Sequence, residues 1–326
     1  MMNVKKVIMV LFPSFLMAFG LFSAAWADTI LFPVVAVSTP NVTTIVTVLN
    51  RTGGTSTHLH YIYRYKDAYD GSSPNMSGSC ASVEFTRPTS DGDLVSFDAS
   101  GFLDGGNALF GDTDSYGGSF HLPGSGAKRA YLLVTNSDSS GTRVDVSSVR
   151  DLAGEAIIMD IATGAAWGMK VINDNTREDY TFTNIDDGGG VWSALPSNGY
   201  TNRRFTFFPP NEWTTRFFVT PIGSSMNSSD LTATVNIMSG SGLFDRTGTK
   251  FNFTPIDQSV TCTAGVDLED LVDSSVWSAV ETTGGWSWFQ VASGDAVVYK
   301  LEYVVNDPTY GGTNNNGYLL SSYSLP

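Results

Sequence analysis

Several residue groups in this chain are of a type and spacing that can do chemistry. Asp112-Thr113-Asp114-Ser115-Tyr116-Gly117 has the spacing of the front half of a calcium loop. Calcium takes several hard oxygen ligands, and Asp-x-Asp-x-x-Gly supplies two carboxylates and a tight turn. The distal acid of a complete EF-hand loop is absent, since Pro123 occupies its place. Asp112 and Asp114 therefore read as a calcium half-site or as an ordinary Asp/Gly turn, and calcium is the one cofactor the chain suggests. Ser90-Asp91-Gly92-Asp93 is a second acidic turn with a weaker case for metal. His58 and His60 fall on one face of a strand and make half of a zinc or copper site, but the only other histidine is His121.

Trp286-x-Trp288 follows Gly284-Gly285 and places two indoles on one strand face. Such a row either stacks on sugar rings, which also present flat apolar faces, or packs into the sheet. Catalytic sets are harder to find. There is no Gly-x-Ser-x-Gly elbow for a Ser-His-Asp hydrolase. A glycosidase needs two facing carboxylates; Glu155, Asp160, Glu178 and Asp179 are available, and spacing alone does not pair them. The expectation is that the protein is not an enzyme.

The elements that must position these residues belong to an exported β protein. Lys5 and Lys6, the apolar run Val7–Phe22 and Ala25-Trp26-Ala27 are the three parts of a secretory leader. Residues 1–27 are thus expected to be a signal peptide. Pro13, Gly20 and the small-x-small ending argue against a retained anchor, and no cysteine stands at the cleavage point to carry lipid. No later run is apolar enough to span a bilayer. The destination is the cell surface or medium, with the periplasm as the remaining choice.

Composition agrees. Charged residues are 15% of the chain, against about 25% in ordinary soluble domains, while 20 Phe, 13 Tyr and 7 Trp can fill a sizeable core. The net charge is −14, and the leader contributes only positive charge. With no Lys/Arg cluster to offset it, such a surface repels phosphate backbones, so nucleic acid is excluded as a partner. Polysaccharide and other surface proteins remain. The two cysteines, Cys80 and Cys262, are either an isolated disulfide of an oxidising compartment, which is the expectation, or two buried free thiols. Their loop is long enough for a gain of ~4–5 kcal/mol in the chain-entropy account.

Strand signals dominate. Thr43–Leu49 is rich in β-branched residues, and His58–Lys66 alternates with Leu59, Tyr61, Tyr63 and Tyr65 on one face. Arg51-Thr52-Gly53-Gly54 between them reads as the turn of a β-hairpin. A second hairpin is expected over Glu155–Asn173, and further strands near Ala130–Thr135, Arg203–Phe208, Thr215–Thr220, Leu231–Met238 and Ala296–Val305. Asp267–Val280 is the best helix, capped by Asp267 with Leu268, Leu271, Val272 and Val276 on one side. The fold class is all-β, in β-sandwich-like units with one short helix. A faint repeat joins Pro33, Pro123 and Pro209, each followed by a strand; they stand roughly 90 residues apart, near the ~100 of one sandwich domain. Gly-rich Asp186–Gly190 and the loop Pro196–Asn202 suggest a boundary between an N-terminal region 28–190 and a C-terminal region 200–326.

The opening Ile30-Leu31-Phe32-Pro33, followed by Val42–Asn50, resembles that of uncharacterised exported β-rich proteins of Gram-negative bacteria. These begin after the leader with Phe-Pro, a Thr-rich strand and a terminal Asn. The stretches Asp98–Asp112 and Thr214–Pro221 are similar to the same group. The resemblance implies an extracytoplasmic, surface-related role and carries no functional residue across.

Overall fold

Branched and aromatic residues that fit a pleated, half-buried surface form strands along most of the chain. The computed structural model describes residues 29–51, 57–71, 73–103, 105, 107–110, 118–144, 152–161, 165–173, 180–182, 192–193, 202–238, 240, 242–304 and 320–322. The expected leader at 1–27 lies outside them. In chain order the strands are β1 (Thr29–Ser38), β2 (Val42–Asn50), β3 (His58–Asp67), β4 (Tyr69–Asp70), β5 (Ser73–Pro74), β6 (Ala81–Pro88), β7 (Leu94–Asp98), β8 (Ala108–Phe110), β9 (Ala127–Ser137), β10 (Leu152–Asp160), β11 (Ala165–Lys170) and β12 (Ile172–Asn173). They continue as β13 (Trp192–Ser193), β14 (Asn202–Phe207), β15 (Trp213–Ile222), β16 (Thr232–Ile237), β17 (Leu243–Asp245), β18 (Lys250–Phe251), β19 (Gln258–Thr261), β20 (Ala264–Asp267), β21 (Gly285–Ser293), β22 (Asp295–Val304) and β23 (Leu320–Ser322). The fold is all-β; the one α-helix among the described residues is α1 (Ser274–Val280).

Residues 29–173 build a ten-stranded sheet in the order β11-β10-β2-β1-β9-β3-β6, with β7 also on β2, β8 on β7 and β12 on β1. The sheet folds over on itself. Tyr61 of β3 meets Phe97 of β7 edge-on at 5.8 Å although several strands separate them, and Phe97 stacks on Phe120 at 4.6 Å. Residues 192–322 build a five-stranded sheet, β13-β22-β15-β20 with β23 on β22, and a six-stranded sheet, β18-β17-β21-β16-β19 with β14 on β21.

The five-stranded sheet is covered on both faces. Phe218, Val297, Tyr299 and Leu301 join the core of the first sheet. Phe217, Val219, Ala296 and Val298 face Phe205, Val235, Phe289 and Val291 of the six-stranded sheet. Burying both faces explains why Arg216–Ile222 and Ala296–Leu301 read as nearly continuous apolar runs instead of alternating.

The expected hairpin of Thr43–Leu49 with His58–Lys66 does not form. β2 pairs with β10 along its whole length and with β7 on its other edge, while β3 lies between β9 and β6. Both edges of both strands are taken by more distant partners, and local turn propensity yields to them. The second hairpin does form: β10 pairs with β11 from Glu155↔Lys170 to Asp160↔Ala165. The three Pro-strand segments are not equivalent. Pro33 sits inside β1 at a register shift between Phe32 and Val35, whereas Pro123 and Pro209 lie in connections ahead of β9 and β15. The expected helix over Asp267–Val280 is two pieces, a 3-10 turn (Leu268–Leu271) and α1, because Val272 is extended and Asp273 caps afresh through Ser275 N at 2.9 Å. Leu268, Leu271, Val272 and Val276 are buried as the pattern requires.

One seam ties the first sheet to the later strands. Cys80 and Cys262 form a disulfide across 182 residues. Beside it, the buried Lys66 ammonium donates to the carbonyls of Met76 (3.0 Å), Gly78 (3.0 Å) and Thr261 (2.9 Å). Replacing Lys66 by Met would strand these carbonyls, so K66M is expected to lose about 2–4 kcal/mol, read from urea unfolding. Burial lowers the Lys66 pKa from 10.5 to about 8. Between those values the unfolded chain holds a proton that the folded chain has shed, so this group makes stability rise with pH across that window. Wild type should gain on K66M from pH 8 to 10.5; a constant difference would refute the assignment.

Candidate functional site

Gly285–Ser293 alternates strictly. Ser287, Phe289 and Val291 of β21 are buried, while Trp286, Trp288 and Gln290 are half-buried on the outer face. The sequence expectation that the two indoles share a strand face is met. Neighbouring strands decide what surrounds them. β14 runs antiparallel to β21 with Arg204 opposite Trp288 and Thr206 opposite Trp286. On the other edge β17 places Phe244 opposite Trp286.

The rings form one cluster. Phe244 stacks on Trp286 at 4.1 Å with planes 9° apart, and the two indoles meet at 4.9 Å and 64°. Arg204 Cζ stands 5.6 Å from the Trp286 centroid and 5.4 Å from that of Trp288. Lys250 Nζ lies 5.9 Å from the Phe244 ring and donates to Gly240 O at 2.9 Å. Cations held against π faces are attracted by the ring quadrupole.

Glycine is required where β17 crosses to β21. A Cβ on Gly285 would lie 1.8 Å from the Phe244 carbonyl oxygen, so only glycine lets the two strands close and the rings stack. Ser287 anchors the same crossing from the inner side by donating to Gly242 O at 2.7 Å.

A cleft of about 250 Å³ opens beside Trp286, walled by Phe207, Phe208 and Arg246. Glu302 lines it too, and is buried together with Lys300. Lys300 Nζ donates to Glu302 Oε1 at 3.0 Å and to Thr206 O, and Thr215 Oγ1 donates to the same carboxylate at 3.2 Å. Burial pulls the Lys300 pKa below its ordinary value, and Glu302 pulls the other way. The pair joins β22 to β14 under the aromatic face.

The other sequence candidates are not part of this site. Asp112 and Asp114, the proposed calcium ligands, lie outside the described residues, as do Glu178 and Asp179. Ser90–Asp93 is a turn closed on itself, with Ser90 N donating to the Asp93 carboxylate. His60 Nε2 faces Glu84 at 3.4 Å, and the Thr57 hydroxyl meets His58 Nδ1 at 3.0 Å. Among the described residues no three His, Cys, Asp or Glu side chains gather to hold a metal ion, and no helix is long and apolar enough to cross a membrane. Phe244, Arg204 and Arg246 were not singled out by sequence. Arg204 and Phe244 carry no local signal beyond their place in short strands, Arg246 stands in the turn after β17, and distant pairings bring all three to the tryptophans. No family model matches the chain, and no curated protein or solved structure matches it either.

Proposed function

We propose that this chain is an exported, non-enzymatic structural or binding protein of the cell envelope or extracellular matrix. The observation that carries the reading is the disulfide between Cys80 and Cys262. Disulfides persist in oxidising compartments, and this one complements a leader-like N-terminus. Layered antiparallel sheets, rich in uncharged polar residues at their surface, suit such a setting. The test is protease shaving of intact native cells followed by an antibody to the mature chain. Loss of the full-length band, or its recovery with the matrix fraction, is expected. A chain fully protected until the outer membrane is opened would overturn the surface assignment.

A second reading, a secreted module that binds or cleaves carbohydrate, is favoured by one specific feature. The half-exposed indoles of Trp286 and Trp288 stand side by side on an outward sheet face next to a cleft. Polysaccharide chains meet such faces through the apolar sides of their rings.

A further inference from the structure

The aromatic face carries positive charge in a protein that has little of it. The chain holds 18 Lys and Arg against 32 Asp and Glu. Elsewhere the cations of the described residues are held either by acids, as Lys128 by Asp67 at 2.8 Å, Arg216 by Asp267 at 2.7 Å and Lys300 by Glu302 at 3.0 Å, or by inward-turned oxygens, as Lys66 by three carbonyls and Arg64 by Asn227. Arg204, Arg246 and Lys250 have no such acidic partner among the described residues, yet all three border Trp286, Trp288 and Phe244. Two acids border the face: Asp245 follows Phe244 and accepts from Thr247 and Thr249, and Glu302 lines the cleft and is paired with Lys300.

We infer that the outer face of β14, β21 and β17 binds an acidic polysaccharide, with Trp286 and Trp288 contacting the sugar rings and the Arg204 guanidinium taking a ring-borne carboxylate. The inference rests on the carbohydrate reading of this face and adds its charge selectivity. A uronic acid unit presents a flat C–H face and a carboxylate a bond away from the ring, which matches an indole beside a guanidinium. Arginine suits the role because its planar fork meets a carboxylate with two parallel hydrogen bonds. The indoles hold that fork in place before the ligand arrives, so less freedom is lost on binding. Arg246 and Lys250 extend the positive rim along the polymer. The remaining acidic surface repels such a polymer and confines contact to this face.

The test uses the full mature chain with polygalacturonate and with its fully methyl-esterified form, which has the same backbone and no charge. Affinity electrophoresis and calorimetry should show polygalacturonate bound at least tenfold more tightly than the ester, with the difference shrinking in high salt. R204Q should lose tenfold or more on the acid and severalfold less than that on the ester, R204K should fall between wild type and R204Q on the acid, and W286A/W288A should lose both. Unchanged thermal unfolding of R204Q keeps the comparison clean where the tryptophan variants fold poorly. Equal binding of acid and ester that needs both tryptophans would overturn acid selectivity and leave the carbohydrate reading standing. Failure to bind polygalacturonate, alginate, hyaluronate or the ester would overturn both. Polyglutamate bound as tightly as polygalacturonate would reassign the face to acidic peptides.

Discussion

A C80A/C262A variant is expected to unfold about 5 kcal/mol more easily than the wild type, the largest single loss anticipated for this protein. The bond closes 182 residues of chain, and the entropy removed from the unfolded ensemble grows with the logarithm of loop length. It also sits where the fold most needs a tie. Cys80 N donates to Ser229 O at 3.1 Å and Cys262 N to Leu231 O at 2.7 Å, so both cysteines are stitched to the chain ahead of β16. Cys80 is 6% exposed and Cys262 fully buried, so mild reductant should not reach the bond until denaturant opens the seam. Thiol labelling along a urea gradient, with and without reductant, measures both effects. Two free thiols in the native protein, or a double variant within about 1 kcal/mol of wild type, would contradict them.

The second large effect is at Glu302. Replacing it with Ala should cost about 3–5 kcal/mol, because Lys300 would remain buried without its counter-charge. Its side chain and that of Glu302 are only 2% and 4% exposed. Removing both charges together is a different perturbation. K300M/E302L leaves no uncompensated ion, and swaps of this kind are often neutral or stabilising. The double variant is therefore expected to be at least ~2 kcal/mol more stable than E302A in urea unfolding. A small loss for E302A, or a double variant as weak as the single one, would show that the pair does not bear on stability.

Strand positions were largely legible. The runs expected at Thr43–Leu49, Glu155–Asn173 and Ala296–Val305 coincide with β2, with β10 to β12 and with β22 over their described residues. The inward face of β3 was legible as well: Leu59, Tyr61 and Tyr63 are buried as their spacing requires. Its other face, which carries His58, His60, Arg64 and Lys66 with Ile62, is not simply exposed. Ile62 and Lys66 are also buried, since that side turns toward the later strands, where Arg64 reaches Asn227 and Lys66 caps Thr261. The candidate site was half legible. Alternation put Trp286 and Trp288 together, but nothing near them in sequence indicated Phe244, Arg204 or Arg246.

What the amino-acid sequence determined alone is local and compositional: the all-β class, the run of strands such as β2, β3 and β10, the cap at Asp267, and a composition poor in charge. These depend on backbone preference and on neighbours within a few residues. The tertiary structure decided which edges meet. Thr43–Leu49 gave up a nearby hairpin partner for β10 and β7, more than 40 residues away, because the longer pairing also closes a core around Val46, Val48 and Phe97. The pairing of Cys80 with Cys262, the burial of Lys66 and the gathering of cations around the tryptophans have the same origin. Each depends on register between strands distant in sequence, and register is selected by the summed burial of whole sheet faces rather than by any one segment.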